Sequence, residues 1–313
     1  MPTLLSRARH AWRHLAELPA LCQTVYPDAP LHRAGPGQWL LFNSVRHFRQ
    51  HLALVATLGE HGPEGLLRQR PELLRKLYSQ YPFHGLAPAE RRQWLAGHLA
   101  SARALFGDAL ARRLLGGERV LAARINLPDG AGQLPVWLLT ARRKHLREGD
   151  LTLELHDPFG TKLYALTFTL QPLPDGGHAL LIGALQGQMP LPLTRHLTKL
   201  SAGMRPMALL LFIAQCLAER LGVQRLRACG RERHIHHEGD RAALVRFDYD
   251  AFWQEVGGTP DGDGFFELPI VAPQRPMAEL PSHKRAQYRR RYAWQDELRA
   301  ETHAVLDAVL PPR

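Results

Sequence analysis

Apolar residues recur at helical spacing through the first third of the chain and form short, dense runs after it. Before residue 116, segments such as "SVRHFRQHLALVATLG" and "PAERRQWLAGHLASARALFG" place apolar residues three or four positions apart, with Pro or Gly between segments. After it, runs such as "KLYALTFTLQPL" and "HALLIGALQG" are separated by the turn signals "PDGAG", "REGD" and "PDGG". The pattern predicts a helical N-terminal region over residues 1–115 and then an antiparallel meander.

Helices return between strands in the last third of the chain. The apolar stretch "PMALLLFIAQCLAER" predicts a core helix that Gly222 ends, and "QRLRAC" after it predicts a strand. Two further strands are predicted, over residues 242–249 and in "FFELPIV", before a long basic helix for which Ser282 is the expected N-cap. The expected fold class is α+β, with a mostly antiparallel sheet in residues 116–313 that the basic C-terminal helix closes.

The chain is strongly basic, with a formal net charge of +11 and a pI near 10.1 over 313 residues. Such a charge predicts an acidic partner, which could be an anionic membrane surface, an acidic protein such as acyl carrier protein, or nucleic acid. No specific nucleic-acid motif is visible, since an RNP-type aromatic strand, a zinc pattern and a heptad-linked basic region are all missing. Because the arginines are spread along the whole chain, a purely compositional cause also stays open.

Cysteine usage and hydropathy favour a reducing compartment and no transmembrane segment. The longest apolar run, "MALLLFIAQCLA", is shorter than the roughly 18 residues that a membrane span needs. Arg and His interrupt the N-terminal segment every few residues, which indicates an amphipathic helix and not a signal peptide. Cys22, Cys216 and Cys229 lie far apart, so no disulfide framework is expected. We expect a cytoplasmic protein, with peripheral binding to the inner membrane as an open alternative.

Four ordered blocks in the C-terminal third resemble the signature blocks of the VirK/YbjX family of bacterial proteins. They read "LTKLSAGMRPMALLLFIAQCLAERLGV", "DYDAFWQEVGG", "DGFFELP" and "ELPSHKRAQYRRRYA". The resemblance implies a role in virulence and stress survival, notably resistance to antimicrobial peptides, and in envelope function. Two positions depart from the family pattern: Met207 stands where members usually carry Lys, and His236 where they carry Tyr. Arg205, Pro206 and His234 match it.

The order of meander, strand, loop, helix and strand resembles, more weakly, that of GNAT-type acyltransferases. In that fold a bulged strand and the N-terminus of the following helix hold the pantetheine and pyrophosphate of acyl-CoA. The resemblance implies an N- or O-acyltransferase that uses acyl-CoA or acyl carrier protein, with a GNAT-like α+β domain over residues 116–313. The Gly-rich loop of that superfamily is missing here, so a loop that only starts a helix is the alternative.

The GNAT resemblance implies cofactor-binding residues at a strand end and in the loop before the core helix: Gln186, Gly187, Ser201, Gly203 and Arg205. N–H groups at a helix N-terminus attract phosphate, Arg205 would add a bidentate donor, and Gly203 would allow close backbone approach. His234 is the candidate catalytic base, because an imidazole titrates near neutrality. The N–H groups of residues 185–187 are expected to hold the thioester carbonyl.

Other candidate clusters fit simpler structural roles. "HIHH" at residues 234–237 lacks the second ligand pair of a zinc pattern, so no metal is expected, and "DGDG" at residues 261–264 predicts a β-turn. Arg289, Arg290 and Arg291 on the basic helix would either contact an anionic surface or face water. A non-catalytic envelope-stress factor that binds anionic lipid, nucleic acid or a protein client therefore stays open beside the enzyme.

Overall fold

The computed structural model describes residues 4–29, 31–62, 65–130, 132–142, 145–187, 189–238, 245 and 247–312. In these residues, N-terminal helices precede a mostly antiparallel sheet of eight strands, and a long helix follows it. The α+β class predicted from the sequence is therefore confirmed.

The helical region before the sheet packs around its own apolar cluster. Its described helices are α1 (Leu4–Val25), α2 (Pro36–Arg46), α3 (Phe48–His61), α4 (Leu66–Gln69), α5 (Leu74–Tyr78) and α6 (Pro88–Leu115). Leu40, Leu54 and Leu74 lie at the centre of this cluster, and Leu146 joins it from beyond the helices. The far end of α6 belongs to the main core, through Phe106 and Leu110. The division into domains at residue 115 stays a prediction.

The sheet has the strand order β1-β2-β3-β4-β5-β6-β8-β7. Its strands are β1 (Val120–Asn126), β2 (Gln133–Thr140), β3 (Leu151–His156), β4 (Lys162–Pro172), β5 (His178–Gly187), β6 (Arg225–Cys229), β7 (Thr259–Pro260) and β8 (Phe265–Leu268). Neighbouring strands are antiparallel except β5 and β6, which run parallel. A parallel pair requires a crossover, and the helices between β5 and β6 supply it.

Four helices complete the described fold: α7 (Leu191–Leu200), α8 (Pro206–Leu221), α9 (Tyr249–Glu255) and α10 (Ser282–Asp307). The core helix α8 begins with Pro206 and ends at Gly222, whose φ of 58° is the left-handed conformation that glycine adopts freely. The helix α10 packs on α8 and β1 through Trp294 and Leu298, and the Trp294 indole donates to the Asn126 carbonyl over 2.9 Å.

The start of α10 and the segment before α9 differ from the sequence prediction or fall partly outside the described residues. Ser282 is the first residue of α10 and Pro281 is its N-cap, with no side-chain capping hydrogen bond, so the predicted cap at Ser282 is wrong. The strand predicted over residues 242–249 falls mostly outside the described residues. Its last residue, Tyr249, begins α9, which Asp248 caps by accepting the Ala251 N–H over 3.1 Å.

A buried ion pair joins the helical region to the sheet. The Lys76 ammonium on α5 lies 2.6 Å from Asp150, just before β3, and both side chains are almost fully buried. The hydroxyls of Tyr81 and Thr169 donate to the same carboxylate over 2.5 Å and 2.8 Å. Burial lowers the pKa of Lys76 to about 8, against the opposing effect of Asp150. Burial alone would raise the pKa of Asp150, but His98, Lys76 and these hydrogen bonds hold it below its usual value.

Candidate functional site

A pocket of about 720 Å³ opens at the end of β5, where β5 and β6 stop pairing. Elements from the whole chain line it: Arg75 comes from α5, Tyr164 from β4, Gln186 and Gly187 from β5, and Met207 from α8. We call this cavity the strand-end pocket. Its volume lies within the range of small-molecule and cofactor sites.

The pocket lies beyond the point where β6 ends beside β5. They pair only from Ala179↔Arg225 to Ile182↔Ala228, and β5 then continues to Gly187 without β6 beside it. A bulge in the β4–β5 ladder falls at Gly183, where a Cβ would overlap the carbonyl oxygen of Glu148. Bulges bend the strand that carries them, so β5 is bent where its pairing with β6 ends.

The first residue of α9, Tyr249, fills part of the gap. Its hydroxyl accepts the Leu185 N–H over 3.3 Å and donates to the Leu185 carbonyl over 3.1 Å. The Leu185 N–H, expected to hold a substrate carbonyl, is therefore already engaged. Backbone groups alternate sides along a strand, so the Gly187 N–H points the same way as that of Leu185, towards the gap.

His234 lines the strand-end pocket and is only 3% exposed. Its ring stacks on Tyr249 at 5.1 Å between centroids, and its Nδ1 accepts the His236 N–H over 3.2 Å. Burial lowers the pKa of His234 to about 4, so the ring is neutral at physiological pH. An accepting Nδ1 places the ring proton on Nε2, which is buried and has no hydrogen-bond partner among the described residues. This tautomer makes Nε2 a donor, whereas the role of base expected from the sequence requires an unprotonated ring nitrogen that faces the pocket.

Because His51 and His234 are buried, we expect the free energy of unfolding to fall in mild acid. His51, fully buried, also has its pKa lowered to about 4 by burial, whereas an unfolded histidine titrates near 6.5. Between pH 6.5 and 4 the unfolded chain binds protons that the native chain does not. The free energy of unfolding should therefore fall by up to about 3 kcal/mol for each of His51 and His234, with no effect above pH 6.5. Urea titrations of the wild type and His51→Asn between pH 7.5 and 4.5 measure the difference.

The matched control for this titration is the exposed His283, as His283→Asn. That variant should keep the wild-type slope of stability against pH, whereas His51→Asn should flatten it. Equal slopes in all three proteins would contradict the depressed pKa.

Glu148 is an acidic residue in the described lining of the pocket, and it was not predicted from the sequence. Its side chain is 2% exposed, lies 3.2 Å from His145 Nδ1, and accepts a hydrogen bond from the Gln186 amide. The residue stands in the turn "REGD", which looked like a simple connector. Its partner Gln186 lies 38 positions away, so only the fold brings them together.

Arg75, Arg147 and Lys162 add positive charge to the pocket lining. The Lys162 ammonium lies 3.1 Å from Glu154 and 3.4 Å from His145 Nε2, and its side chain is 37% exposed. Arg75 lies over the Tyr26 ring, with 5.5 Å from its guanidinium carbon to the ring centroid. This lining suits a ligand with an anionic end and a less polar part that reaches the buried side chains.

The loop before α8 lies outside the pocket lining. Ser201 is fully buried, and Gly203, with φ 81°, has its carbonyl held by Arg291 of α10 over 3.0 Å. Arg205 is the N-cap of α8 and forms an ion pair with Glu255 of α9. The pocket therefore brings together Gln186, Gly187 and His234 of the residues expected from the sequence, and leaves Ser201, Gly203 and Arg205 apart. From this stretch Met207, in the first turn of α8, lines the pocket.

The described parts of the chain contain neither a metal-ligand cluster nor a helix that could span a membrane. No three His, Cys, Asp or Glu side chains there are grouped so that they could hold a metal ion. No described helix is both long and apolar enough to cross a membrane.

Residues 38–304 match the model of a protein family described as "Protein of unknown function (DUF535)". YbjX of Escherichia coli (strain K12), an uncharacterized protein, is 34% identical over 161 residues, which are 50% of this chain and 48% of YbjX. An uncharacterized protein of Haemophilus influenzae is also 34% identical, over 155 residues that cover 48% of this chain and 50% of the relative. The match spans about half the length of these relatives. The chain belongs to the VirK/YbjX family, as its four sequence blocks indicated.

Proposed function

We propose that the protein is a GNAT-like acyltransferase whose acyl donor, acyl-CoA or acyl carrier protein, places its thioester in the strand-end pocket. The observation that carries the proposal is the end of β5, residues 183–187, which extends past the last residue of β6 beside a pocket with buried polar side chains. Beyond Leu185, whose backbone groups Tyr249 engages, the edge of β5 can pair with an amide of an extended pantetheine arm, as a strand pairs with an added peptide. A pocket of about 720 Å³ also has room for the acyl group.

The residues of the pocket would divide the chemistry between them. An amine or hydroxyl of the acceptor attacks the thioester carbonyl, a C–N or C–O bond forms, and the C–S bond breaks. We assign the Gly187 N–H and the His234 Nε2–H as donors to the carbonyl oxygen, where negative charge develops. We assign Glu148 as the base that takes the acceptor's proton, which then passes to the departing thiolate.

The pocket has its own cations for the anionic end of the donor. Arg75, Arg147 and Lys162 line it, whereas Arg205 lies outside and pairs with Glu255. We assign the phosphates of the donor to the lining cations. The alternative is the N-terminus of α8 with Arg205, two residues before Met207, as the loop sequence suggested.

Calorimetric titration with acetyl-CoA tests the proposed function and separates these two positions. The wild type is expected to bind, Lys162→Ala to bind about tenfold more weakly because a charge-assisted hydrogen bond is lost, and Arg205→Ala to bind like the wild type. Both side chains are more than one third exposed, so both variants should fold and each serves as the control for the other. A selective loss in Arg205→Ala would move the phosphates to α8. No binding of acetyl-CoA or acyl carrier protein by the wild type would contradict the function.

The family resemblance suggests a physiological setting for this activity. We propose that it acts in the cytoplasm or at the inner face of the inner membrane, on an acceptor concerned with envelope stress, virulence or resistance to antimicrobial peptides. The net charge of +11 would favour the acidic surface of an acyl carrier protein or of an anionic membrane.

A further inference from the structure

The outward face of α2 is apolar. Trp39, Phe42 and Val45 are 43%, 60% and 49% exposed, and their spacing of three residues places them along one side of the helix. The opposite side packs inward through Leu40 and Ser44, which are fully buried. A surface helix normally exposes polar residues. An aromatic outer face therefore indicates a surface that contacts a membrane or another protein.

The helix that packs on α2, α1, carries a third exposed aromatic residue between cations. Trp12 of α1 is 70% exposed, and Arg9 and Arg13, three residues before it and one after it, are exposed too. Arg46, the last residue of α2, and Arg49, in the first turn of α3, are likewise exposed. The first 50 residues contain six arginines and two acidic residues. Exposed aromatic rings and arginines therefore occur together on this part of the molecule.

We propose that the outer faces of α1 and α2 dock the protein onto an anionic lipid bilayer. Trp and Phe side chains prefer the boundary between headgroups and acyl chains, and neighbouring arginines attract lipid phosphates. A second copy of the chain fits less well, because a symmetric contact would bring the same arginines against each other. This surface is separate from the strand-end pocket, so the proposal stands independently of the acyltransferase function.

Vesicle co-sedimentation tests the docking surface. The wild type should bind vesicles of phosphatidylglycerol and phosphatidylcholine and should bind pure phosphatidylcholine much more weakly. The double variant Trp39→Ser/Phe42→Ser is expected to lower the partition coefficient by about 10- to 100-fold, because two aromatic side chains that would enter the bilayer are lost. Arg46→Ala/Arg49→Ala should weaken binding to the anionic vesicles and reduce its dependence on salt.

Two controls match these variants. Phe159→Ser removes an aromatic side chain that is 94% exposed in the turn between β3 and β4, and Arg289→Ala/Arg290→Ala removes two exposed charges on α10. Both should bind vesicles like the wild type, and circular dichroism should show that all variants are folded. Loss of binding only in the α10 variant, or no binding by the wild type, would overturn the proposal. So would light scattering that shows a dimer which Trp39→Ser/Phe42→Ser converts to a monomer.

Discussion

Replacing Asp150 with alanine is expected to lower the free energy of unfolding by about 3 to 5 kcal/mol, because the substitution leaves the Lys76 ammonium buried without its partner. The Tyr81 and Thr169 hydroxyls would lose the same acceptor. The free energy from urea denaturation at pH 7 measures the effect. An Asp150→Ala/Lys76→Met double variant should recover part of the loss, since it no longer buries an unpaired charge.

The surface pair Asp108 and Arg103 provides the control for this experiment. These side chains are exposed, and their ion pair is 2.7 Å long. Asp108→Ala should leave the urea midpoint unchanged, because water screens an exposed ion pair. Equal losses in Asp108→Ala and Asp150→Ala, or strictly additive losses in the double variant, would show that the buried pair does not couple the helices to the sheet.

Replacing His234 with alanine is expected to lower kcat by about 10²- to 10³-fold, the usual effect of removing one donor to a developing oxyanion. The rate of thiol release from acyl-CoA, in the presence of an envelope extract as the source of acceptor, gives this number. His234→Gln offers an amide N–H in place of Nε2–H and should recover part of the rate. KM for acyl-CoA should change little, since His234 is assigned to the carbonyl and not to the phosphates.

The variants of His234 also separate donation from general base catalysis. If His234 were the general base, the rate would fall in acid with the pKa of His234, near 4. Neither His234→Ala nor His234→Gln would then recover any of the rate. Equal rates for His234→Ala and His234→Gln would therefore contradict the assignment of Nε2 as a donor. Equal rates for the wild type and His234→Ala would remove His234 from the mechanism.

Local sequence patterns predicted the elements that build the fold. The residues Leu209, Ile213, Leu217 and Leu221 recur at near-helical spacing, and all are buried in α8. The strand "HALLIGALQG" corresponds to β5, His178–Gly187. Such predictions succeed because apolar periodicity reflects the side of an element that must be buried. Gln186, Gly187 and His234 could be selected from the sequence since a strand end and the turn after a strand are local features.

The rest of the candidate site depends on contacts between distant residues. Tyr249 was expected at the end of a strand, and nothing local shows that its hydroxyl reaches Leu185, 64 positions away. In the sequence, Glu148 is part of a turn. In the fold, the bulge at Gly183 lies against its backbone, so close that a Cβ at Gly183 would overlap the Glu148 carbonyl oxygen. Arg205 looked free to bind phosphate, but its partner Glu255 lies 50 positions further along the chain. The role of each polar group depends on its partner elsewhere in the fold, and a single sequence does not show which residues become partners.

The central claim is that an acyl thioester lies at the end of β5, beyond the last residue of β6. A crystal structure of the protein with a thioether analogue of acyl-CoA, which cannot transfer its acyl group, tests this claim most directly. We predict that the pantetheine arm lies along the end of β5 beyond Leu185, that the carbonyl oxygen lies within hydrogen-bond distance of the Gly187 N–H and His234 Nε2, and that the phosphates lie near Lys162. An analogue bound elsewhere, with the strand-end pocket free of it, would contradict the claim.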